Sequence, residues 1–186
     1  TANDTLALNT YRKAAATGFS RSQLALADCY ISGTGAAKDS AAAYEWYCIA
    51  AANNEARALY VVATHLATAD SLAAHSKRAL RRSSTINYFK KAAKEGNAEA
   101  QYHLARFYHT GRYVRKSNKK AFEWYMHAAN NNHPQAAEQV ARCYEKGRGT
   151  KKDERKAVYW YRVALLHGSQ LAKEKIDWFD KFHFLE

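Results

Sequence analysis

The chain has 186 residues, of which 47% are hydrophobic and 25% are charged, and its formal net charge is +12. A chain of this size can bury a sizeable core without a disulfide scaffold. One proline, eight glycines and many alanines favour helix over strand, and no apolar run approaches the length of about 18 residues needed to cross a bilayer. These totals predict an all-α protein without a membrane-spanning segment.

The positive charge is confined to the C-terminal part of the chain. Residues 1–70 contain five Lys and Arg against six Asp and Glu, whereas residues 71–186 contain 24 against 11. Such an asymmetry indicates an acidic partner or an anionic surface that meets the C-terminal part.

A repeated aromatic pattern sets the expected architecture. Residues 120–129 read K-A-F-E-W-Y-M-H-A-A, the pattern K-A-x-x-W-Y-x-x-A returns at 156–164, and a copy without the lysine occupies 42–50. The tyrosines of these copies, together with two further aromatic residues in the same frame, are spaced by 36, 42, 36 and 36 residues. We name these five positions the anchors: Tyr11, Tyr47, Phe89, Tyr125 and Tyr161. A fixed period of this length predicts an array of identical supersecondary units.

Each unit is predicted to contain two antiparallel helices, an anchor helix and the companion helix that follows it. Seven residues after each anchor stands Gly or Asn, the residue types that best tolerate the left-handed conformation at a helix end: Gly18, Asn54, Gly96, Asn132 and Gly168. Eleven residues after each anchor stands a small residue, as close helix packing requires: Ser22, Ala58, Ala100, Ala136 and Ala172. In chain order the predicted helices are 5–17, 20–32, 40–53, 55–69, 83–95, 98–110, 117–131, 134–146, 154–167 and 170–181.

These helices are expected to form one domain spanning residues 1–186. The predicted units are 1–18 as a half unit, 19–54, 55–96 with an insertion at 70–82, 97–132, 133–168 and a C-terminal cap at 169–186. The basic insertion is interpreted as an extended helix start or a longer loop, with a recognition insertion as the alternative. The aromatic tail 177–186 is interpreted as part of the cap, with a docking peptide as the alternative.

Local signals give three further expectations. Pro134 suits the first turn of a helix, with Asn131 and Asn132 as its caps. Three cysteines, at positions 29, 48 and 143, cannot all pair and form no C-x-x-C, so they are expected to be free and buried. The thiols favour a cytoplasmic location and the missing initiator methionine favours a periplasmic one, so the compartment stays open.

The segment 96–111, which reads G-N-A-E-A-Q-Y-H-L-A-R-F-Y-H-T-G, is followed by the K-A-x-x-W-Y-x-x-A-A pattern at 120–129. Together they resemble the Sel-one-like repeat (SLR) family, and the resemblance covers nearly the whole chain. It implies a right-handed α/α superhelix, a solenoid of about ten helices in helix-turn-helix units of roughly 36 residues, related to tetratricopeptide repeats. It also implies a scaffold for protein–protein contacts, frequent in bacterial signalling, secretion and envelope systems. Departures are the glycine-poor second unit, Tyr113 in place of a second turn glycine, and the aromatic tail.

No pattern for catalysis or metal binding is present. The eight histidines form no H-E-x-x-H, and His103 and His109, six residues apart on one helix, fall on different faces. No G-x-S-x-G motif frames a nucleophile, and the G-x-G pairs lie between helices at the repeat period. The sequence therefore predicts a protein that is not an enzyme and has neither a cofactor nor a metal site.

The companion helices carry non-repeating residues on their outward stripe, whereas their core positions repeat. In solenoids one helix series lines a concave groove, where variable residues select partners. We hypothesise a partner-binding groove centred on Arg106 and Arg142, with a merely solvated face as the alternative. Its candidate residues are Asp28, Glu99, Tyr102, His103, Arg106, Gln135, Gln139, Arg142 and Lys146.

Basic residues also recur at the turns and would form a basic edge. Its candidate residues are Arg81, Arg82, Arg112, Arg115, Lys116, Lys119, Lys151, Lys152 and Arg155. The predicted function is that of a non-enzymatic adaptor, assembly factor or inhibitor, including an immunity-type binder, that captures a protein with an acidic surface. The alternative is a polyanion or nucleic-acid binder that uses the basic edge, although no base-reading pattern is present.

Overall fold

The computed structural model describes residues 2–72 and 75–182, with the side chains of 2–68 and 84–181. This part of the chain contains ten α-helices and no strand, so the all-α prediction is confirmed. The helices are α1 (Ala2–Ala16), α2 (Ser20–Ser32), α3 (Ser40–Ala52), α4 (Ala56–Leu72), α5 (His75–Lys94), α6 (Ala98–Thr110), α7 (Asn118–Asn130), α8 (Pro134–Lys146), α9 (Glu154–Leu166) and α10 (Gln170–Phe182).

The predicted helix ends lie within three residues of the observed ones, except at the start of α5. That helix begins at His75, eight residues before the predicted start, so most of the basic insertion is helical. The backbone of residues 75–82 is therefore an extended start of α5 and not a loop. Residues 73–74, within the insertion, and the tail residues 183–186 lie outside the described part of the chain.

The chain divides into two compact units, Thr1–Glu95 with α1–α5 and Gly96–Glu186 with α6–α10. Within each unit every helix packs against the next one along the chain. The turn residues predicted to end the anchor helices all have positive φ, between 60° and 92°. Asp39, Ser117 and Asp153 cap the following anchor helices by accepting hydrogen bonds from backbone N–H groups.

The cores combine buried alanines with buried aromatic anchors. Ala58, Ala100, Ala136 and Ala172 are fully buried, as the spacing predicts, and the anchors Tyr47, Phe89, Tyr125 and Tyr161 are also buried. Tyr11 is 37% exposed and is therefore not part of this buried set. The reason is that α1 packs against α2, whereas α3 is covered by both α2 and α4.

Hydrogen bonds between side-chain amides join successive helices in both compact units. Asn53 Nδ2 donates to Gln23 Oε1 at 2.9 Å, and Asn131 Nδ2 donates to Gln101 Oε1 at 2.8 Å. Both glutamines are at least 95% buried, so this pairing satisfies polar groups that would otherwise be costly to bury. The sequence interpretation assigned Asn131 to the cap of α8 instead.

Two further expectations are corrected by the structure. The N-cap of α8 is His133, whose ring accepts the hydrogen bond of the Ala136 N–H, while Asn131 and Asn132 close the end of α7. Cys29 and Cys143 are free and buried, as expected, but Cys48 is free and exposed because it lies on the outer side of α3.

Candidate partner-binding surface

The repeating core of α7 holds α6 and α8 on either side of it. On α6, Ala100, Leu104 and Phe107 are buried, which leaves a stripe of four non-repeating residues at its surface. On α8, Ala136, Val140 and Cys143 are buried in the same way. We name the two resulting stripes the companion face: Glu99, Tyr102, His103 and Arg106 of α6, and Gln135, Gln139, Arg142 and Lys146 of α8.

His133 connects the two stripes. Its Nδ1 accepts a hydrogen bond from the Ala136 N–H at 3.2 Å, its Nε2 lies 3.3 Å from Glu99 Oε2, and its ring stacks on Tyr102 at a centroid distance of 4.3 Å. Because Nδ1 is an acceptor, the proton of the neutral ring is on Nε2 and is donated to Glu99. The structure thus brings the predicted residues Glu99 and Tyr102 together through a histidine that sequence reasoning had weighed only as a metal ligand. The sequence signal that could have identified His133 is its position one repeat after Asn97, the N-cap of α6.

The two arginines at the centre of the companion face differ in their partners. Arg142 pairs with Glu138 at 3.0 Å, and Glu138 also accepts a hydrogen bond from Ser169 Oγ at 3.1 Å. Arg106 is exposed, with its guanidinium 5.9 Å from the centroid of the Tyr102 ring. Among the described residues Arg106 has no acidic partner, so its charge, unlike that of Arg142, is open to another molecule.

The remaining companion-face residues vary in exposure. Gln135 and Lys146 are exposed, whereas Gln139 and His103 are half-buried. Burial, reinforced by the charge of Arg106, lowers the pKa of His103 below its ordinary value, so this ring is neutral at physiological pH.

Glu145 connects α8 to α10 beside this face. Its carboxylate accepts a hydrogen bond from the Tyr161 hydroxyl at 2.6 Å and one from Lys175 Nζ at 2.7 Å. Burial acts to raise the pKa of Glu145, but the hydrogen bonds from Lys175 and Tyr161 outweigh it and hold the pKa below its ordinary value. Conversely, burial and then the hydrogen bond to Glu145 raise the pKa of Tyr161.

We expect Glu145→Gln to flatten the acid side of the stability profile. A carboxylate whose pKa is lowered on folding stabilises the native state above the pKa of the unfolded chain, about 4.3, and that stability is lost as pH falls through the folded pKa. The wild type should therefore lose more unfolding free energy than Glu145→Gln between about pH 6 and about pH 3. Urea unfolding at both pH values measures the difference, and equal losses in the two proteins would contradict it.

In the compact unit Thr1–Glu95, Asp28 occupies a similar polar cluster. It accepts a hydrogen bond from the Tyr47 hydroxyl at 2.5 Å and pairs with Arg57 at 2.7 Å. Burial and then the Asp28 carboxylate raise the pKa of Tyr47 to about 12. Asp28, a predicted groove residue, therefore has its charge matched within its own unit.

The turns of the compact unit Gly96–Glu186 carry the basic edge. Its described members are all exposed: Arg112, Arg115, Lys116, Lys119, Lys151, Lys152 and Arg155. Lys152 pairs with Glu154 at 2.7 Å, and Lys120 and Lys156 lie over the rings of Tyr108 and Tyr144 at 5.5 and 5.6 Å. A surface depression of about 540 Å³ is lined by Tyr108, Val114, Arg115, Lys116, Ser117 and Lys120, without a carboxylate. The side chains of Arg81 and Arg82 lie outside the described set.

Across residues 2–72 and 75–182, no group of three or more His, Cys, Asp or Glu side chains is arranged to hold a metal ion. No helix in the same ranges combines the length and the apolarity that crossing a membrane requires.

Comparison with protein families identifies the repeat. The model of the Sel1 repeat matches residues 20–55, 83–97, 98–133 and 134–169, which is more than half of the chain. The chain belongs to the Sel1 repeat family. Sel1 repeats are generally protein-interaction modules and non-catalytic scaffolds.

Solved Sel1-repeat structures share the fold. The protective antigen c5321 of uropathogenic Escherichia coli is 24% identical, with a TM-score of 0.77 over 92% of this chain and 36% of its own. A Sel1 repeat protein from Oxalobacter formigenes is 26% identical, with a TM-score of 0.72 over 94% of this chain and 67% of its own. The immunity protein Pa5087 from Pseudomonas aeruginosa is 20% identical, with a TM-score of 0.53 over 89% of this chain and 59% of its own. The chain thus spans little more than a third of c5321, and no match was found among curated proteins.

Proposed function

We propose that this Sel1-repeat chain is a non-enzymatic interaction module that binds an acidic region of another protein on the companion face of α6 and α8. The basic edge beside this face attracts the same partner at longer range. Adaptor, assembly factor and inhibitor of the immunity type are versions of this role, and the fold is shared with the immunity protein Pa5087.

The observation that supports the proposal is the position of Arg106. It is exposed and has no acidic partner among the described residues, whereas Glu138 and Arg142 pair with each other and Glu99 accepts a hydrogen bond from His133. An arginine beside an aromatic ring is a frequent centre of binding energy at interfaces. Its charge and its planar fork of donors both suit an acidic partner.

We expect Arg106→Glu to weaken partner binding at least about tenfold, because it replaces the attraction of a carboxylate by repulsion. The partner would be retained from a lysate of the source cells, identified, purified and titrated against the variants. Lys173→Glu is the matched control, since Lys173 is an exposed cation on α10 away from the companion face. Arg142→Glu is less suitable, because it would also leave Glu138 unpaired. Equal affinities of wild type and Arg106→Glu would contradict the proposal.

Binding of a polyanion such as nucleic acid is the second candidate, and the carboxylate-free depression on the basic edge favours it. Filter binding of nonspecific DNA at physiological salt separates the two functions. Sub-micromolar affinity that falls steeply with salt, and that is lost when Lys116 and Lys119 are changed to Glu, would place this candidate first.

A further inference from the structure

The repeat places three tyrosines at equivalent anchor positions: Tyr47, Tyr125 and Tyr161. All three are at least 94% buried. At the first and the last, the hydroxyl donates to a carboxylate on the preceding companion helix: Tyr47 to Asp28 and Tyr161 to Glu145. A cation from the next companion helix completes each group, Arg57 at 2.7 Å from Asp28 and Lys175 at 2.7 Å from Glu145. The ordinary arrangement in this protein is therefore a phenol, a carboxylate and a cation.

The middle position lacks the carboxylate. On α6, the residues in register with Asp28 and Glu145 are Arg106 and His109. Tyr125 is 97% buried, yet no hydrogen-bond partner is found for its hydroxyl among the described residues. A buried polar group without a partner is uncommon and costs stability.

The surroundings of Tyr125 supply donors and a positive charge. Its ring lies 5.8 Å from that of Tyr102, and burial, together with Tyr102 and Cys143, raises its pKa against the opposing effect of Arg106. The described residues likewise contain no hydrogen-bond partner for the Tyr102 hydroxyl. Arg106 lies over the Tyr102 ring.

The carboxylates that lie nearest on this face are engaged elsewhere. Glu99 is hydrogen-bonded to His133, and Glu138 is shared between Arg142 and Ser169. The junction of α6, α7 and α8 thus combines two phenol donors and one arginine without an acceptor. A carboxylate accepts up to about four hydrogen bonds and fits the fork of an arginine.

We propose that this junction receives an aspartate or glutamate side chain of the partner protein, held by the Arg106 guanidinium and the hydroxyls of Tyr102 and Tyr125. The incoming carboxylate takes the place that Asp28 and Glu145 occupy at the other two anchors. This assignment rests on the proposed function and specifies its chemistry: the partner presents an acidic side chain that enters between the two companion helices.

The test uses the whole chain and hexaglutamate, an amidated peptide, as the probe, with hexaglutamine as its neutral counterpart. Binding is followed by the amide resonances of α6 and α8. We expect the wild type to bind hexaglutamate and not hexaglutamine. Tyr125→Phe should weaken binding about tenfold through the loss of one hydrogen bond to a charged acceptor, and Arg106→Gln should weaken it at least as much. Tyr125→Phe should fold with undiminished stability, because no hydrogen bond of the free protein is removed.

A second variant rebuilds the missing group. Arg57 and Gln135 both stand ten residues after their anchors, so Arg106→Asp combined with Gln135→Arg reproduces the Asp28, Tyr47 and Arg57 arrangement at Tyr125. This double variant should unfold at a higher midpoint than the wild type and should lose hexaglutamate binding. Retained peptide binding in the double variant would overturn the proposal.

Three other results would also overturn it: no binding of hexaglutamate to the wild type, undiminished binding by Tyr125→Phe, or loss of binding only when Lys116 and Lys119 of the basic edge become glutamate. If the natural partner binds Arg106→Glu more weakly but binds Tyr125→Phe as tightly as the wild type, the proposed carboxylate site is wrong and the proposed function is still supported. If the natural partner binds Arg106→Glu as tightly as the wild type, both the carboxylate site and the proposed function are wrong.

Discussion

Gly149→Ala should lower the free energy of unfolding by about 3–5 kcal/mol, a large loss for one added methyl group. A Cβ at this position would overlap the backbone carbonyl of Asn118 at the start of α7, and the residue has φ of +79°. Relief would require the turn to move away from α7, which a packed interior resists. Urea unfolding followed by circular dichroism measures the change.

Gly168→Ala is the matched control. This glycine has φ of +84°, but a Cβ there would meet no atom within 4 Å. Only the left-handed conformation is then penalised, at about 1–2 kcal/mol. Equal losses in the two variants would mean that the contact with Asn118 is unimportant.

Phe179→Ala in α10 should cost a similar amount, about 3–5 kcal/mol, because it empties a buried aromatic site. Phe179 is 1% exposed and its ring lies 6.3 Å from that of Tyr161. The neighbouring Trp178 is 46% exposed, so Trp178→Ala should cost only about 1 kcal/mol. Thermal or urea unfolding of the two variants compares them directly.

This pair also bears on the predicted C-terminal cap. Asp177 and Asp180 stand in α10 where Ala105 and Tyr108 stand in α6, and both are exposed. The solenoid model expects such a charged outer face on a terminal cap, and the cap at 169–186 stays a prediction. If Trp178→Ala proved as costly as Phe179→Ala, the burial pattern of α10 would be wrong.

The helices and their core residues could be predicted because they repeat. Alanine, tyrosine and glycine recur at fixed offsets, so each copy tests the others, and eight of the ten helices begin within one residue of the expected position. The start of α5 could not be predicted, because the basic insertion has no counterpart in the other units. The exposure of Tyr11 could not be predicted either, because its place in the pattern says nothing of how many helices cover it.

The candidate site was predictable only in part. The outward stripes of α6 and α8 follow from helical periodicity, which is why Arg106 and Arg142 were placed on one face. The pairings within that face could not be predicted, since partners such as Glu145 and Lys175 are 30 residues apart and meet only through the stacking of helices. The hydrogen bonds of the anchor hydroxyls could not be predicted, because the pattern shows that the tyrosines repeat and does not show what their hydroxyls meet.

The amide pair of Asn131 and the buried Gln101 has a further consequence for how the compact unit Gly96–Glu186 responds to acid. Neither amide titrates, so the link between α6 and the end of α7 holds equally at neutral and acidic pH. The corresponding positions one repeat later are His167 and Ala137, and there α8 is joined to α10 and its N-terminal turn through Glu138 and Glu145 instead. Because the hydrogen bonds from Lys175 and Tyr161 hold the pKa of Glu145 below its ordinary value, we expect its protonation in acid to weaken the contact between α8 and α10 while the amide link between α6 and α7 is unchanged.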